Sequence, residues 1–317
     1  MKIGLVLSGG GGKGAYELGV WKALKELGID KYIDVFSGAS IGAFNAVLFA
    51  QDDIAAAEAL WDEVTMDKLV PISKFELFKK GLGLIIGAKN INFAKKYMSQ
   101  KLEEGAVSKD GAKEIINKYL RVDRVKERNK ICYAACTQLP DFNVKYFKIN
   151  EYDDELAREM IIASASLPLI YDCTEILGEK YIDGGVVDNT PIQPVYGEGC
   201  DIIIVVLLSK EAKIDRSLYP NTKIIELAPK KLVETVITGT LNLDYEAKKI
   251  RIKEGYDDTI SLLEPVMIMM EMKIKEELIK ETKEKSIAKY YKLVKSIFNK
   301  KENKVKDSNG TNTGLNS

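Results

Sequence analysis

Ser40 stands in GASIG, residues 38–42, between Gly38 and Gly42. A serine in the pattern G-x-S-x-G, set at a sharp turn from strand to helix, can attack a carbonyl carbon. The attack needs a base for the hydroxyl proton, and the common base is histidine. The 317 residues contain no histidine. A Ser-His-Asp triad and a Cys-His pair are therefore excluded, and the base must be a carboxylate or a lysine. Asp183 is the carboxylate that stands out. It precedes Gly184 and Gly185 in YIDGGVVDNTP, residues 181–191, where glycines let another segment come close. A carboxylate with a reference pKa of about 4 is a weak base for an alcohol in water. Desolvation strengthens it, and so does stabilisation of the charge that the reaction creates. A D-G-G run is also a common turn.

A glycine cluster can supply that stabilisation. SGGGGKG, residues 8–14, follows an apolar run and precedes a helical pattern. It is not a nucleotide P-loop, because Gly14 follows Lys13 where Ser or Thr is required. Gly9, Gly11 and Gly14 do fit the dinucleotide fingerprint G-x-G-x-x-G. The acid wanted about 20 residues on would be Asp34. Asp34 falls at the start of its strand, near the wrong end of a sheet. The third reading is an oxyanion hole, with glycine N–H groups turned into one concavity and the positive end of the next helix behind them. A tight turn with no ligand is the remaining alternative.

These residues need elements to position them. Residues 2–8 read as a buried strand, and AYELGVWKALKELG puts Tyr16, Val20, Leu24 and Leu27 on one helical face, with Gly28 as the stop. A strand at 33–37, a helix from Ile41 to Ala50 and a helix over 52–64, opened by Asp52 and Asp53, follow. Strand–helix–strand–helix with short links predicts a parallel sheet covered by helices. Further strands fall at 131–137, 144–149, near 173–182, 201–208 and 223–227, with a helix over 153–165. DIIIVVLL, 201–208, is apolar throughout, as a central parallel strand should be. Residues 70–130 lack a clean strand period and read as a cap-like insertion. Residues 265–300 read as a lysine-rich helical segment closing a domain over 1–300, and the polar stretch 301–317 as a disordered tail.

Composition sets the class. Hydrophobic residues make up 46% and charged residues 30%, which suits a globular protein with a large core. Lys plus Arg and Asp plus Glu both total 47, so nothing draws the chain to nucleic acid. The N-terminal apolar stretch is too short and glycine-rich for a signal peptide, and no run spans a membrane. The expected location is the cytoplasm, with peripheral contact to membranes; secretion without a signal peptide stays open. No C-x-x-C pair exists among Cys132, Cys136, Cys173 and Cys200, and no histidine is there to complete a zinc site. Cys132 and Cys136 lie about 13 Å apart along one strand, too far for a disulfide, and read as reduced and buried.

In order along the chain, SGGGGKG (8–14), GASIG (38–42) and DGG (183–185) resemble the patatin-like phospholipase family. ASASLPLIYD (163–172) and DNTP (188–191) also look like that family's surroundings of its aspartate. The resemblance runs over about residues 2 to 210. It implies a three-layer α/β fold with a parallel-dominated central sheet flanked by helices. It implies lipid acyl hydrolysis by a Ser–Asp dyad, without histidine, metal or cofactor. On this resemblance Ser40 is the nucleophile and Asp183 the general base. Gly9, Gly10, Gly11 and Gly12 look like the oxyanion loop, with Lys13 at the family's basic position. Gly14, Gly38, Gly42, Gly184 and Gly185 complete the motifs. The implied partner is a lipid ester at a membrane or micelle surface, hydrolysed through an acyl-enzyme.

Other features carry two readings each. GLGLIIG, 81–87, is an apolar flap for lipid or a buried loop. Asp188 reinforces the site or makes a turn, while Ser164 and Ser166 read as structural. Residues 271–304 hold eleven lysines against six Glu, with Ile274, Leu278, Ile287, Tyr291, Val294 and Phe298 apolar. That helix lies on an anionic membrane or packs on its own domain. The methionines of LLEPVMIMMEM, 262–272, line an acyl pocket or fill a core. A dinucleotide-binding oxidoreductase and a non-catalytic lipid-binding protein are the competing functions.

Overall fold

A computed structural model describes residues 2–70, 103–231 and 239–309. The chain opens as β1 (Ile3–Leu7), α1 (Ala15–Glu26), β2 (Ile33–Ala39), α2 (Ile41–Ala50), α3 (Ile54–Glu63) and α4 (Met66–Leu69). Gly28, at φ +68°, ends the first helical run as a left-handed stop. The Asp53 side chain caps α3 by accepting from the Ala56 amide at 3.0 Å. The helices α5 (Asp110–Tyr119) and α6 (Val122–Glu127) lead into β3 (Ile131–Leu139) and β4 (Asn143–Lys148). Then come α7 (Asp154–Ser164), β5 (Thr174–Ile176), β6 (Glu179–Asp183), α8 (Ile192–Gly197), β7 (Ile202–Val206), β8 (Lys223–Leu227) and α9 (Tyr245–Asn309).

The strands form one sheet in the order β5-β6-β3-β2-β1-β7-β8, with β4 paired to β3. From β3 to β8 the neighbours are parallel; β4, β6 and β5 are antiparallel additions at one side. Successive side chains of a strand face opposite ways. Phe36 turns to α1 and α2, where Trp21 stacks on Phe49 at 5.0 Å and meets Phe36 edge-on. Val35 and Val6 turn the other way, onto Ile192 and Val195 of α8. Helices thus cover both faces, in the three layers that the sequence predicts.

The chain divides into two units, Met1–Ser261 and Leu262–Ser317, a boundary that falls inside the segment read as one domain. Helix α9 starts at Tyr245, 20 residues earlier than the sequence suggests. In the first unit it packs tightly on α1: a Cβ on Gly19 would collide with the Ile252 backbone, and one on Gly255 with that of Tyr16. In the second unit, side chains from Glu264 to Leu293 are exposed except half-buried Met267. Ile274, Leu278, Ile287, Tyr291 and the methionines 269, 270 and 272 are all exposed. Helix continues to Asn309, so the tail expected at 301–317 is helical over its first part. The side chains of Val294 and Phe298, residues 310–317 and the GLGLIIG segment lie outside the described residues.

Residues 173–182 make a hairpin rather than one strand. Leu177 and Gly178 form its two-residue turn with φ of 54° and 83°. Two consecutive positive φ values are what a tight hairpin turn needs, but leucine is not a residue that signals one. All four cysteines are free, three of them buried and Cys173 half-buried.

Candidate active site

Strand β3 works as a ruler for the site. One of its edges is taken by β4 over Tyr133–Gln138. Along the other edge β2 arrives parallel and ends with Ala39 opposite Ala135. On that same edge β6 arrives from the opposite direction and ends with Asp183 opposite Cys136. Ala135 and Cys136 are adjacent, so the residue after Ala39 and the residue ending β6 must meet. They are Ser40 and Asp183, far apart in the chain. The Ser40 side chain comes close enough to the Asp183 carboxylate to lower its pKa, and both line one cavity.

Ser40 is held in a strained turn. Its φ is 54° and ψ −127°, a region that side chains disfavour. Two contacts hold it there: its amide donates to the carbonyl of Ser164 at 3.1 Å and to its Oγ at 3.0 Å. Ser164 Oγ donates in turn to Ala135 O at 2.6 Å. The turn is so tight that a Cβ on Gly38 would run into the Gly42 backbone, and one on Gly42 into the Leu7 carbonyl. Helix α2 starts at Ile41 and directs its positive end at the serine.

Asp183 is buried at 3% exposure. Its Oδ1 accepts from the Gly185 amide at 2.7 Å, and its backbone is fixed by Ser166 O and Thr137 Oγ1. Burial lifts its pKa to about 6, against the opposing pull of the Ser40 side chain and of the Gly185 hydrogen bond. A carboxylate raised this way is a better proton acceptor than one in water.

The glycine loop lies beside both. A Cβ on Gly9 would stand 3.2 Å from Ser40 Cβ. The Gly9 amide, however, donates to Asn189 O at 3.1 Å, and the Asn189 side chain donates back to Gly9 O at 3.0 Å. Gly9 is therefore committed, which corrects its expected place among the free donors. The loop turns with Gly11 at φ +54° and enters a 3-10 turn, Gly11–Gly14, in which Lys13 N donates to Gly10 O. That pattern uses the later amides and leaves those of Gly10, Gly11 and Gly12 without a partner among the described residues. Gly14 packs on Ile41, and Gly184 and Gly185 pack on Ala135 and Asn189. Arg251, fully buried in α9, donates to Gly12 O at 3.1 Å and Asn242 O at 2.6 Å, tying the loop down from behind.

A cavity of about 780 Å³ opens onto this group. Ser40, Asp183 and the loop residues Gly9 to Lys13 line one part of it. Phe44, Leu60, Val64, Leu69, Ile115 and Ile170 give it apolar walls. Such a shape suits a polar reacting group attached to a long hydrocarbon.

The rival fingerprint loses its acid. Leu7, before the glycine loop, pairs with Gly38, whereas Asp34 lies at the far end of β2 and bonds Lys130 at 2.9 Å. Asp188 makes a turn, accepting from Thr190 N and from Tyr146 OH. Asn189 and Arg251 carry no signal of their own in the sequence. The first lies in the DNTP run; the second sits in a helix whose start the sequence places too late. Among the described residues no cluster of three or more Cys, Asp or Glu is arranged for a metal, and no helix is long and apolar enough to cross a membrane.

Comparison with known proteins adds the lineage. The chain is 28% identical over 204 residues to a lysophospholipase of Aspergillus terreus, covering 64% of this chain and 12% of that protein. It is 31% identical over 204 residues to a lysophospholipase of Saccharomyces cerevisiae, covering 64% of this chain and 10% of that protein. Its fold is similar to that of VipD from Legionella pneumophila, at a TM-score of 0.49 and 17% identity, covering 83% of this chain and 67% of that one. It is also similar to human GIVD cytosolic phospholipase A2, at 0.47 and 11%, covering 88% and 59%. The family model for patatin-like phospholipase matches residues 5–196. That match takes in more than half of the sequence, and the chain belongs to the patatin-like phospholipase family.

Proposed function

We propose that this chain hydrolyses lipid esters, with Ser40 as nucleophile and Asp183 as its base. The observation that carries the reading is the meeting of the Ser40 side chain with a buried carboxylate in one cavity, beside glycine amides that have no partner among the described residues. Ser40 Oγ attacks the ester carbonyl as Asp183 takes the proton. The charge that grows on the carbonyl oxygen is held by the N–H groups of Gly10, Gly11 and Gly12. Gly9 serves by its small size rather than as a donor. The tetrahedral species collapses, the proton on Asp183 goes to the departing alkoxide, and an acyl group stays on Ser40. Asp183 then takes a proton from water as the water oxygen bonds the acyl carbon; the Oγ–C bond breaks, Ser40 Oγ recovers the proton from Asp183, and the fatty acid leaves.

The apolar cavity wall is the seat for the acyl chain. Single-chain phospholipids are the first substrates to try, since the matched relatives are named lysophospholipases. The substrate would be met at a membrane or micelle surface. The test is hydrolysis of a lipid panel by the full chain and by Ser40→Ala and Asp183→Asn. Both variants are expected to fold and to lose turnover by several orders of magnitude, and a fluorophosphonate probe is expected to label only protein that carries Ser40. Undiminished turnover in either folded variant would overturn the dyad.

A further inference from the structure

The cavity carries a cation that ester hydrolysis does not need. Lys109 directly precedes α5, Ala112 and Ile115 follow at three-residue spacing on the helix, and all three line the cavity. Ala112 and Ile115 are buried parts of the apolar wall, and Lys109 brings a half-buried ammonium to it. Its Nζ donates to Thr174 Oγ1 at 2.6 Å. Thr174 Oγ1 lies 3.1 Å from Ser166 Oγ, which donates to Ile162 O, so the threonine proton points to Ser166. The carbonyl of Ser166 holds the Asp183 amide at 2.9 Å. The lysine is thus anchored near the reacting pair without touching either member.

Among the described residues the ammonium has no paired carboxylate. The acids around it are engaged: Asp172 accepts from the Gly105 amide at 2.6 Å, and Glu159 pairs with Lys113 at 2.8 Å. Among the described residues, Thr174 is its hydrogen-bond partner and no carboxylate pairs with it. An ammonium has three N–H donors, so two remain for a ligand. Burial lowers the pKa of Lys109, against the weaker opposing fields of Cys173, Asp172 and Glu159 and together with that of Lys113. A desolvated cation beside an apolar wall is costly until an anion meets it.

We propose that Lys109 binds the phosphodiester of a phospholipid substrate and so selects phosphate-bearing esters over neutral ones with the same acyl chain. The proposal rests on the hydrolase reading above. A fatty-acid carboxylate is the other anion within the same chemistry. Its carboxyl carbon, however, is the one that reacts at Ser40, and Lys109 touches neither Ser40 nor Asp183. A phosphate linked to the glycerol a few bonds beyond the ester is the anion that can reach both places.

The experiment compares lysophosphatidylcholine with the monoacylglycerol of the same acyl chain, using the native chain, Lys109→Met and Lys109→Arg. Methionine keeps most of the apolar stem and removes the charge. Losing a charge-assisted hydrogen bond is expected to raise KM for lysophosphatidylcholine about tenfold or more in Lys109→Met, with kcat little changed. KM for the monoacylglycerol is expected to stay within about twofold, and Lys109→Arg to recover most of the loss. Equal losses on both lipids, or none on either, would overturn the proposal. So would an effect confined to inhibition by free fatty acid. Should Lys109→Met not fold, Lys109→Gln takes its place in the same assay. Binding of the two lipids to Ser40→Ala, with and without the Lys109 change, reads the same preference without turnover. A protein that binds with this preference yet hydrolyses nothing would refute the hydrolase reading alone.

Discussion

Asp183 faces a conflict between where it sits and what it must do. To accept the Ser40 proton it must be ionised, yet burial favours the neutral acid and lifts its pKa to about 6. The Ser40 side chain and the Gly185 hydrogen bond moderate that rise. An ester hydrolase with this base and no histidine is expected to lose kcat/KM as pH falls through about 6, tenfold for each further unit. The check is a pH profile on a neutral soluble ester, whose own charge does not change. A profile flat from pH 7 down to pH 4.5 would mean that another group takes the proton. The same residue scale explains the role of Ser164, which the sequence assigns only to structure. Its carbonyl and hydroxyl both receive the Ser40 amide, so it holds the strained turn without meeting substrate.

At the scale of elements, the site depends on two strands sharing one edge of β3. Gly184 makes that arrangement possible, because a Cβ there would collide with the Ala135 carbonyl. Gly184→Val is expected to push β6 from β3 and to part Asp183 from Ser40. Overpacking of this kind costs about 1–3 kcal/mol. The expected result is a lower unfolding midpoint and loss of kcat at least a hundredfold, measured by thermal unfolding and by ester turnover. Retained kcat in a destabilised protein would show that the shared edge does not set the dyad. This shared edge is also what the sequence conceals. The opening strand–helix alternation, the apolar β7 and the three motifs are local patterns, and local patterns are legible. That β6 docks where β2 stops is a long-range pairing with no periodic trace. The Leu177–Gly178 turn hides the hairpin, since leucine does not advertise a positive φ. Arg251 and Lys109 each look like one more surface lysine or arginine, and only tertiary packing buries the first and half-buries the second.

For the whole molecule, the same buried carboxylate sets activity against stability. Asp183 is not alone in this: Glu17, fully buried behind the glycine loop, also has its pKa raised by burial, in spite of hydrogen bonds from Asn45 and from the Ser8 backbone. A carboxyl group whose folded pKa exceeds its unfolded value keeps its proton longer when folded. The folded state then binds more protons than the unfolded state, and stability falls as pH rises. For Asp183 the fall begins near the ordinary aspartate value of 3.8 and is complete above about 6. The gap corresponds to about 3 kcal/mol as an upper figure, since relaxation reduces it. Activity therefore rises over the range in which stability declines, a trade-off common at functional sites. Asp183→Asn removes the charge while its amide can still accept from Gly185 and donate to Ser40. The variant is expected to unfold at a higher temperature than the native chain at pH 8, and the difference is expected to vanish at about pH 4, where both side chains are neutral. Thermal unfolding of the two proteins across that range decides the matter. An Asn variant no more stable at pH 8 than at pH 4, relative to the native chain, would mean that the dyad carboxylate ionises without penalty and that its surroundings are wetter than the fold indicates.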